Sequence, residues 1–580
     1  MMHRFAVWAP RAKVIDLVSG GRRIGMSRAD GGWWESDDPA AHAGTRYGFS
    51  IEGGPPRPDP RSLAQPDGVL GLSEVVDQAA HPWRDAGWRG RPLEGLVLYE
   101  LHIGTFTAAG TFDSAIERLP HLVELGVDAV EVMPVAEFSG TRGWGYDGVH
   151  LFAPHHAYGG PEAMKRFVDA CHVAGLAVIL DVVYNHLGPV GNFLPGFGPY
   201  FSDRHHTAWG AALNFDGADA GEVRRFAVDN AAMWIRDYHL DGLRLDAVHA
   251  IVDESPTHIL EQLATEVTTL GEGLGRATFV IAESELNDPR IVRDRASGGY
   301  GLDAVWDDDW HHALHTVLTG EHAGYYKDFG SLAQLGKALR QAWVYDGEWS
   351  RHWGRPRGGK PDALPPRAFV VATQTHDQVG NRAAGERLAA LVGIPQLKAA
   401  AALLLTSPFT PMLFQGEEWA ASTPFLYFTS HEDPELSRAV ADGRKHEFEE
   451  FGWGPKDVPD PQDFATCERS KLRWEEIGED LHAGMLDWYR DLIALRRRLP
   501  AAGGRAGEGV DVVVDERARR VSFSRPGVSV DVNLGDDDWT VVPPAGSRLA
   551  MCSRRVATCD GGVSIPPLGT AIFETESPIG

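Results

Sequence analysis

The stretch Asp241-Gly-Leu-Arg-Leu-Asp-Ala-Val-His249 sets a guanidinium and a carboxylate two residues apart in what reads as a short strand over 242–246. Side chains alternate across a strand, so Arg244 and Asp246 share one face while Leu243 and Leu245 take the other. The cation favours the ionised carboxylate, which makes Asp246 a candidate nucleophile. A structural ion pair at a strand end is the competing reading of this segment taken alone. Other acids recur in similar settings. Asp181-Val-Val-Tyr-Asn-His186 closes a nearly continuous apolar run, Glu283 follows Val280-Ile-Ala282, and His376-Asp377 follows the apolar run at 369–372.

The elements that must position these acids change character along the chain. Up to about residue 52, Phe5–Trp8, Val14–Val18 and Tyr47–Ile51 are short alternating runs between turn residues, as in a small antiparallel sandwich. Gly53-Gly-Pro-Pro-Arg-Pro-Asp-Pro60 reads as an extended connector, too rich in Pro for a helix. From about Leu93, strands alternate with helical patterns. Strand candidates are 97–101, 129–133, 176–183, 242–246, 277–282, 304–306, 369–372 and 411–414. A helix with a capping box is expected from Asp113-Ser114 and Glu117, with Pro120 as a kink in it. Pro161 opens another helix, and a third covers about 221–238. This alternation fits a closed (β/α)8 barrel better than an open sheet. After Leu499-Pro500, a Gly/Ala-rich linker leads into 510–514, 521–523, 528–533 and 571–573, strands of a small antiparallel β domain. The expected fold class is therefore α/β: an N-terminal β-sandwich at 1–90, a TIM barrel at 91–500 and a C-terminal β domain at 501–580.

Composition narrows the partners. Of 580 residues, 43% are hydrophobic and 23% charged, ordinary for a soluble globular chain, and no apolar run reaches bilayer length. The start MMHRFAVWAP has no apolar h-region, so no secretory signal is read and a cytoplasmic location is expected. A net charge of −26 argues against nucleic acid or an anionic membrane as partner. The four cysteines are too scattered for a disulfide framework, although Cys552 and Cys559 could pair across a hairpin; reduced thiols are expected. Eighteen tryptophans suit sugar faces as well as cores.

In a β/α barrel, functional groups sit at the carboxyl ends of strands. Asp181, Asp246, Glu283 and Asp377 fall at the ends of the third, fourth, fifth and seventh strand candidates. DVVYNHLG, DGLRLDAVH, VIAESE and TQTHDQVGN resemble, in order, the four short regions shared by the α-amylase superfamily of glycoside hydrolases. Trp144-Gly-Tyr-Asp147 with Ala153-Pro154 is similar to the segment before the first region, and FAVWAPRA resembles the start of the module ahead of the barrel in branching, debranching and trehalohydrolase families. The resemblance implies Asp246 as nucleophile, Glu283 as acid/base and Asp377 as transition-state stabiliser, in a retaining reaction whose nucleophile and acid stand about 5–5.5 Å apart. It implies that His186 and His376 bind hydroxyls of the sugar ring under which Tyr146 stacks, with Trp144 and Arg244 also among the substrate-binding residues.

Within the superfamily, the chain looks most like maltooligosyltrehalose trehalohydrolases. The resemblance is carried by Trp144–Val149, Glu283–Pro289, Tyr325–Gly330, Gly416–Trp419, Pro424–Pro434 and Gly443–Phe448, with Lys327 a departure where a small residue is expected. The implied reaction cleaves the α-1,4 bond next to the trehalose end of maltooligosyltrehalose, in functional pairing with a maltooligosyltrehalose synthase. His249, Glu285 and Asn287 would line the leaving-group side. A branching or debranching enzyme shares these acids, and a non-catalytic glucan-binding barrel is the remaining alternative. No cofactor and no metal are expected, because His155-His156, His205-His206 and His311-His312 lack zinc-site spacing and partner acids in sequence.

Overall fold

A computed structural model describes residues 3–361, 363–449, 458–501, 503–559 and 562–575. The N-terminal part pairs His3–Trp8, Trp33–Asp38 and Ser27–Arg28 in one antiparallel sheet, and Arg22–Gly25, Ile15–Ser19, Arg46–Ile51 and Ser73–Glu74 in a second. Phe5, Val7, Ile15, Leu17, Trp34 and Phe49 fill its core, as the period-two pattern requires. The Pro-rich connector then runs irregularly, and the chain straps across the barrel with Trp83 stacked on His239 and Trp88 on His172.

Eight parallel strands close the barrel in sequence order: β1 (Leu98–Leu101), β2 (Ala129–Val132), β3 (Ala177–Val182), β4 (Gly242–Leu245), β5 (Phe279–Ala282), β6 (Ala304–Trp306), β7 (Phe369–Ala372) and β8 (Thr410–Phe414). Every strand residue is buried, the consequence of packing on both faces. The expected helices at Gly160–Val173 and Ala220–Asp237 form, with Met164, Phe167, Val168 and Cys171 of the first facing inward. The helix start near Asp113 differs from expectation. Thr111 and Ser114 make the capping box of a short helix, Phe112–Ile116, and Pro120 lies in the first turn of a second, Leu119–Leu125. A proline there forfeits no hydrogen bond, so the chain restarts a helix and does not kink one.

In the C-terminal part, Asp511–Asp515, Arg520–Arg525, Val528–Asn533, Thr570–Glu574 and Arg548–Cys552 form a five-stranded sheet beside a three-stranded one. Arg548–Cys552 was not expected as a strand, because Arg-Leu-Ala-Met-Cys shows no alternation and none of it is fully buried. Cys552 carries a free thiol. Glu516 accepts the Leu332 and Ala333 amides at 3.0 and 3.2 Å, at the start of the barrel helix Leu332–Gln341.

At the strand start of β4, Asp241 accepts the Val178 amide, the Trp88 indole and His172 Nε2, while His172 Nδ1 faces Asp85 at 2.8 Å. Asp85 sits below its ordinary 3.8: burial opposes this, but bonds to His172 and His239 outweigh it. His172 sits above 6.5, since Asp241 and Asp85 outweigh the lowering by burial. Stability from Asp85 is present above 3.8 and is lost as pH falls through its depressed value. That from His172 is complete below 6.5 and is lost as pH rises through its raised value. His172→Ala removes the imidazole that bridges Asp241 and Asp85, leaving Asp241 only its Trp88 and Val178 donors and Asp85 only His239, and denaturant unfolding near pH 6 should lose about 3 kcal/mol.

Candidate active site

Asp246 follows β4 directly, and the pairing of β3 with β4 sets Arg244 opposite Asp181. The fully buried Arg244 guanidinium donates from Nη1 to Asp181 Oδ2 at 2.6 Å and to Asp246 Oδ1 at 2.9 Å. Its Nη2 lies 3.7 Å from Glu283 Oε2, and Trp306 supports it with the ring centroid 4.2 Å from Cζ. One cation thus borders both the expected nucleophile and the expected acid. Asn185 Nδ2 donates to Asp246 Oδ2 at 2.8 Å, fixing the carboxylate plane and leaving its edge toward the cleft.

Glu283 accepts the Ala247 amide at 2.6 Å. Its carboxyl is pushed well above the ordinary 4.5, by burial first; Arg244 opposes this, and Asp246, Asp308 and Asp377 add to it. A carboxyl held protonated beside an ionised one is the division of labour that acid-catalysed glycosidic cleavage needs. Asp377, on the short helix after β7, is exposed in the cleft. Asn381 donates to it at 2.6 Å, and Arg444 donates to Asn381 at 2.8 Å, so the helix Pro434–Glu449 braces the third carboxylate through two bonds.

Beneath these acids lies a layer in which sequence reasoning named Asp181, Tyr146 and His376 but missed Glu100 and Glu131. Glu100 on β1 accepts the His376 amide and ring Nδ1, and Tyr146 Oη lies 2.7 Å from Asp181 Oδ2 and 2.8 Å from His376 Nε2. With the tyrosine proton given to Asp181, both ring nitrogens of His376 donate, so the ring is an imidazolium. Its pKa is accordingly raised: burial lowers it, but the Glu100 charge and hydrogen bond prevail. Asp181 is pushed up to about 6 by burial, against the pull of Arg244. Glu131 on β2 is pushed well above 4.5 by burial and by Glu100. The available signal was a charged residue in the middle of two apolar strand runs, Val97-Leu-Tyr-Glu-Leu101 and Ala129-Val-Glu-Val-Met133.

Several expected sugar contacts are committed to protein. Trp144 is buried, its indole N–H donates to Leu426 O at 2.9 Å, and its ring stacks on Phe425 and meets His376 edge-on. Gly145 that follows has φ of +102°, and a Cβ there would sit 2.0 Å from Pro134 O, so only glycine makes this turn. His376 has both nitrogens engaged. Asn287, also buried, donates to Asp309 and to Tyr345 O. These three position other groups and present no free polar atom to a ligand. Tyr146, half-buried, stacks on His376. His186 bonds Asn185 and stacks on the exposed Trp209, ring centroids 5.0 Å apart. His249 Nε2 and Glu285 Oε1 approach to 3.7 Å, and both side chains are partly exposed.

The fold does supply acids to two histidine groups that lack them in sequence. Glu137 gathers with His155 and His156, and Asp216 and Glu254 with His205. In the first, His155 Nδ1 accepts the Ala157 amide, so the neutral ring carries its proton on Nε2 and turns no lone pair toward Glu137.

A closed eight-stranded parallel barrel with these acids at its rim defines an α-amylase-type glycoside hydrolase, and the family model "Alpha amylase, catalytic domain" matches residues 81–194. The chain is 52% identical to a malto-oligosyltrehalose trehalohydrolase of Arthrobacter ramosus, over 99% of this chain and 100% of that one. It is 48% identical to another from Rhizobium sp. (strain M-11), over 98% and 97%. A Salmonella typhimurium crystal structure, provisionally described as an alpha amylase, superposes with a TM-score of 0.91 at 38% identity, covering 99% of this chain and 97% of that one. The chain belongs to the malto-oligosyltrehalose trehalohydrolase family.

Proposed function

We propose that this chain hydrolyses the α-1,4-glucosidic bond next to the terminal trehalose unit of maltooligosyltrehalose, releasing trehalose and a shorter maltooligosaccharide. The observation that carries the reading is the pairing of Asp246, hydrogen-bonded by Arg244 and Asn185, with Glu283, whose carboxyl burial and neighbouring acids push well above 4.5 against the pull of Arg244. Glu283 donates its proton to the bridging oxygen as Asp246 attacks the anomeric carbon. The trehalose leaves, and water deprotonated by Glu283 then attacks the covalent intermediate, giving net retention. Asp377 holds hydroxyls of the reacting ring as positive charge develops on it.

A substrate with a trehalose end implies a synthase that forms that end, and such an enzyme is the proposed functional partner. Among the described residues no helix is long and apolar enough to cross a membrane. The cytoplasm is the proposed site of action, and residues 1–90, 91–500 and 501–580 are the proposed units of the chain. Incubating the protein with maltooligosyltrehalose and, in parallel, with amylose tests the reaction. Free trehalose should accumulate from the first, with little change in the second. New α-1,6 branches in amylose without trehalose release would move the chain to the branching enzymes.

A further inference from the structure

β6 ends in three consecutive aspartates whose fates differ. Asp307 is buried, accepts the Trp310 amide at 3.3 Å and caps the helix Asp308–Thr319. Asp309 is completely buried and saturated: it accepts Arg357 at 2.6 Å, Asn287 at 2.8 Å, and the Val344 and Tyr345 amides at 2.8 and 2.7 Å. Asp308 alone is partly exposed. Its one hydrogen bond among the described residues is a long one from Gln378 Nε2, at 3.3 Å, to Oδ1, which leaves Oδ2 free.

The surroundings of that oxygen are acidic. Asp308 is among the charges that raise Glu283, and Asp377 and Glu285 are among those that act on Asp308. Burial, then Asp377, push its own carboxyl up to about 7. A third acid set between the ends of β5 and β7, without a cation bonded to it, is unfavourable for the empty fold. Arg357 lowers the Asp308 pKa, but that guanidinium is already bonded to Asp309 and to Glu285 O. Glu285, which acts on Asp308, follows Glu283 by two residues and pairs with His249, whereas Asn185 bonds Asp246. Glu283 hands its proton to the bridging oxygen, so the space beyond it belongs to the departing sugar.

We propose that Asp308 is a specificity-determining residue whose free carboxyl oxygen takes a hydroxyl of the first leaving-group sugar ring, tying bond cleavage to that ring's shape. The assignment rests on the glycosidase reading above. It is separable from it by comparing a sugar leaving group with one that has no hydroxyls. α-Maltosyl fluoride reacts at the same anomeric carbon and expels fluoride, which needs neither a proton nor a hydroxyl contact. Asp308→Asn keeps the shape of the side chain and removes its charge. It should lower kcat/KM on maltooligosyltrehalose by about 10- to 100-fold, the range for a hydrogen bond to a charged group. The same variant should lose no more than a few-fold on the fluoride and melt with the parent.

Equal losses on both substrates would place Asp308 with the three catalytic carboxylates or with the fold and overturn the assignment. No loss on either would overturn it as well. A parent protein that releases no trehalose but cleaves another glucan would sink the proposed reaction alone, and the comparison run on that glucan would still decide Asp308. A parent that cleaves no glucan overturns both.

Discussion

Glu283→Ala is expected to lower kcat on a glucan by about 10⁴-fold, the upper end of what a positioned general acid supplies. A sugar alkoxide is a poor leaving group, so loss of the proton donor falls directly on the bond-breaking step. With α-maltosyl fluoride the first step needs no acid, so the variant should form the intermediate at a rate much closer to the parent's. Azide added at that stage enters from the face Glu283 vacated and yields an α-glycosyl azide. Asp246→Ala cannot form the intermediate, and azide there would give the β product. The parent's kcat/KM should fall as pH rises through the Glu283 pKa, because the protonated form is the active one. Burial and three neighbouring acids raise that pKa, so the alkaline limb lies well above the ordinary 4.5, and it should vanish in Glu283→Ala on the fluoride. A β azide from Glu283→Ala, or unchanged glucan cleavage, would exchange or remove the roles.

What the sequence made legible follows from periodicity. The barrel strands are continuous apolar runs because both faces are buried, and the acids at their ends interrupt those runs abruptly, so Asp246, Glu283 and Asp377 stand out. Arg244 and Asp246 could be placed on one face by alternation alone, and the bond between them bears that out. Glu100 and Glu131 escaped notice for the same reason that strands are easy to find: one charged residue does not spoil an apolar run, and alternation does not say which partner awaits it across a closed barrel. Asp308 and Asp309 are adjacent and identical in type. Only the chain folding back at Tyr345 and Arg357 saturates one and leaves the other open. Trp144 and Asn287 were placed at the sugar by their neighbours in sequence, yet each spends its polar atoms on backbone or on Asp309. Contacts between residues distant in the chain carry no local signal, and the Arg444–Asn381 bond that braces Asp377 is such a contact.

Arg244→Met tests the layer beneath the acids. The guanidinium is buried, bonded to Asp181 and Asp246, near Glu283 and stacked on Trp306, so methionine can fill most of its volume but none of its charge. Two carboxylates lose their hydrogen-bonded cation in a site that already holds Glu100 and Glu131. Breaking a buried pair in this way costs about 3–5 kcal/mol, to be read as loss of unfolding free energy at neutral pH. Asp181, already pushed up to about 6, should rise further once the charge that lowers it is gone. Its unfolded value lies below the folded one, so the folded form gains on protonation, and the stability deficit of the variant should shrink as pH falls through the folded value. Activity should drop by several orders of magnitude, because Asp246 loses the bond that orients it and the cation that favours its charged form. Arg244→Lys separates the two effects. An ammonium restores part of the stability, yet one donor centre cannot span Asp181 and Asp246 while facing Glu283, so activity should stay low. Full activity in the lysine variant would show that charge alone suffices and that the two-armed geometry of Arg244 does no catalytic work.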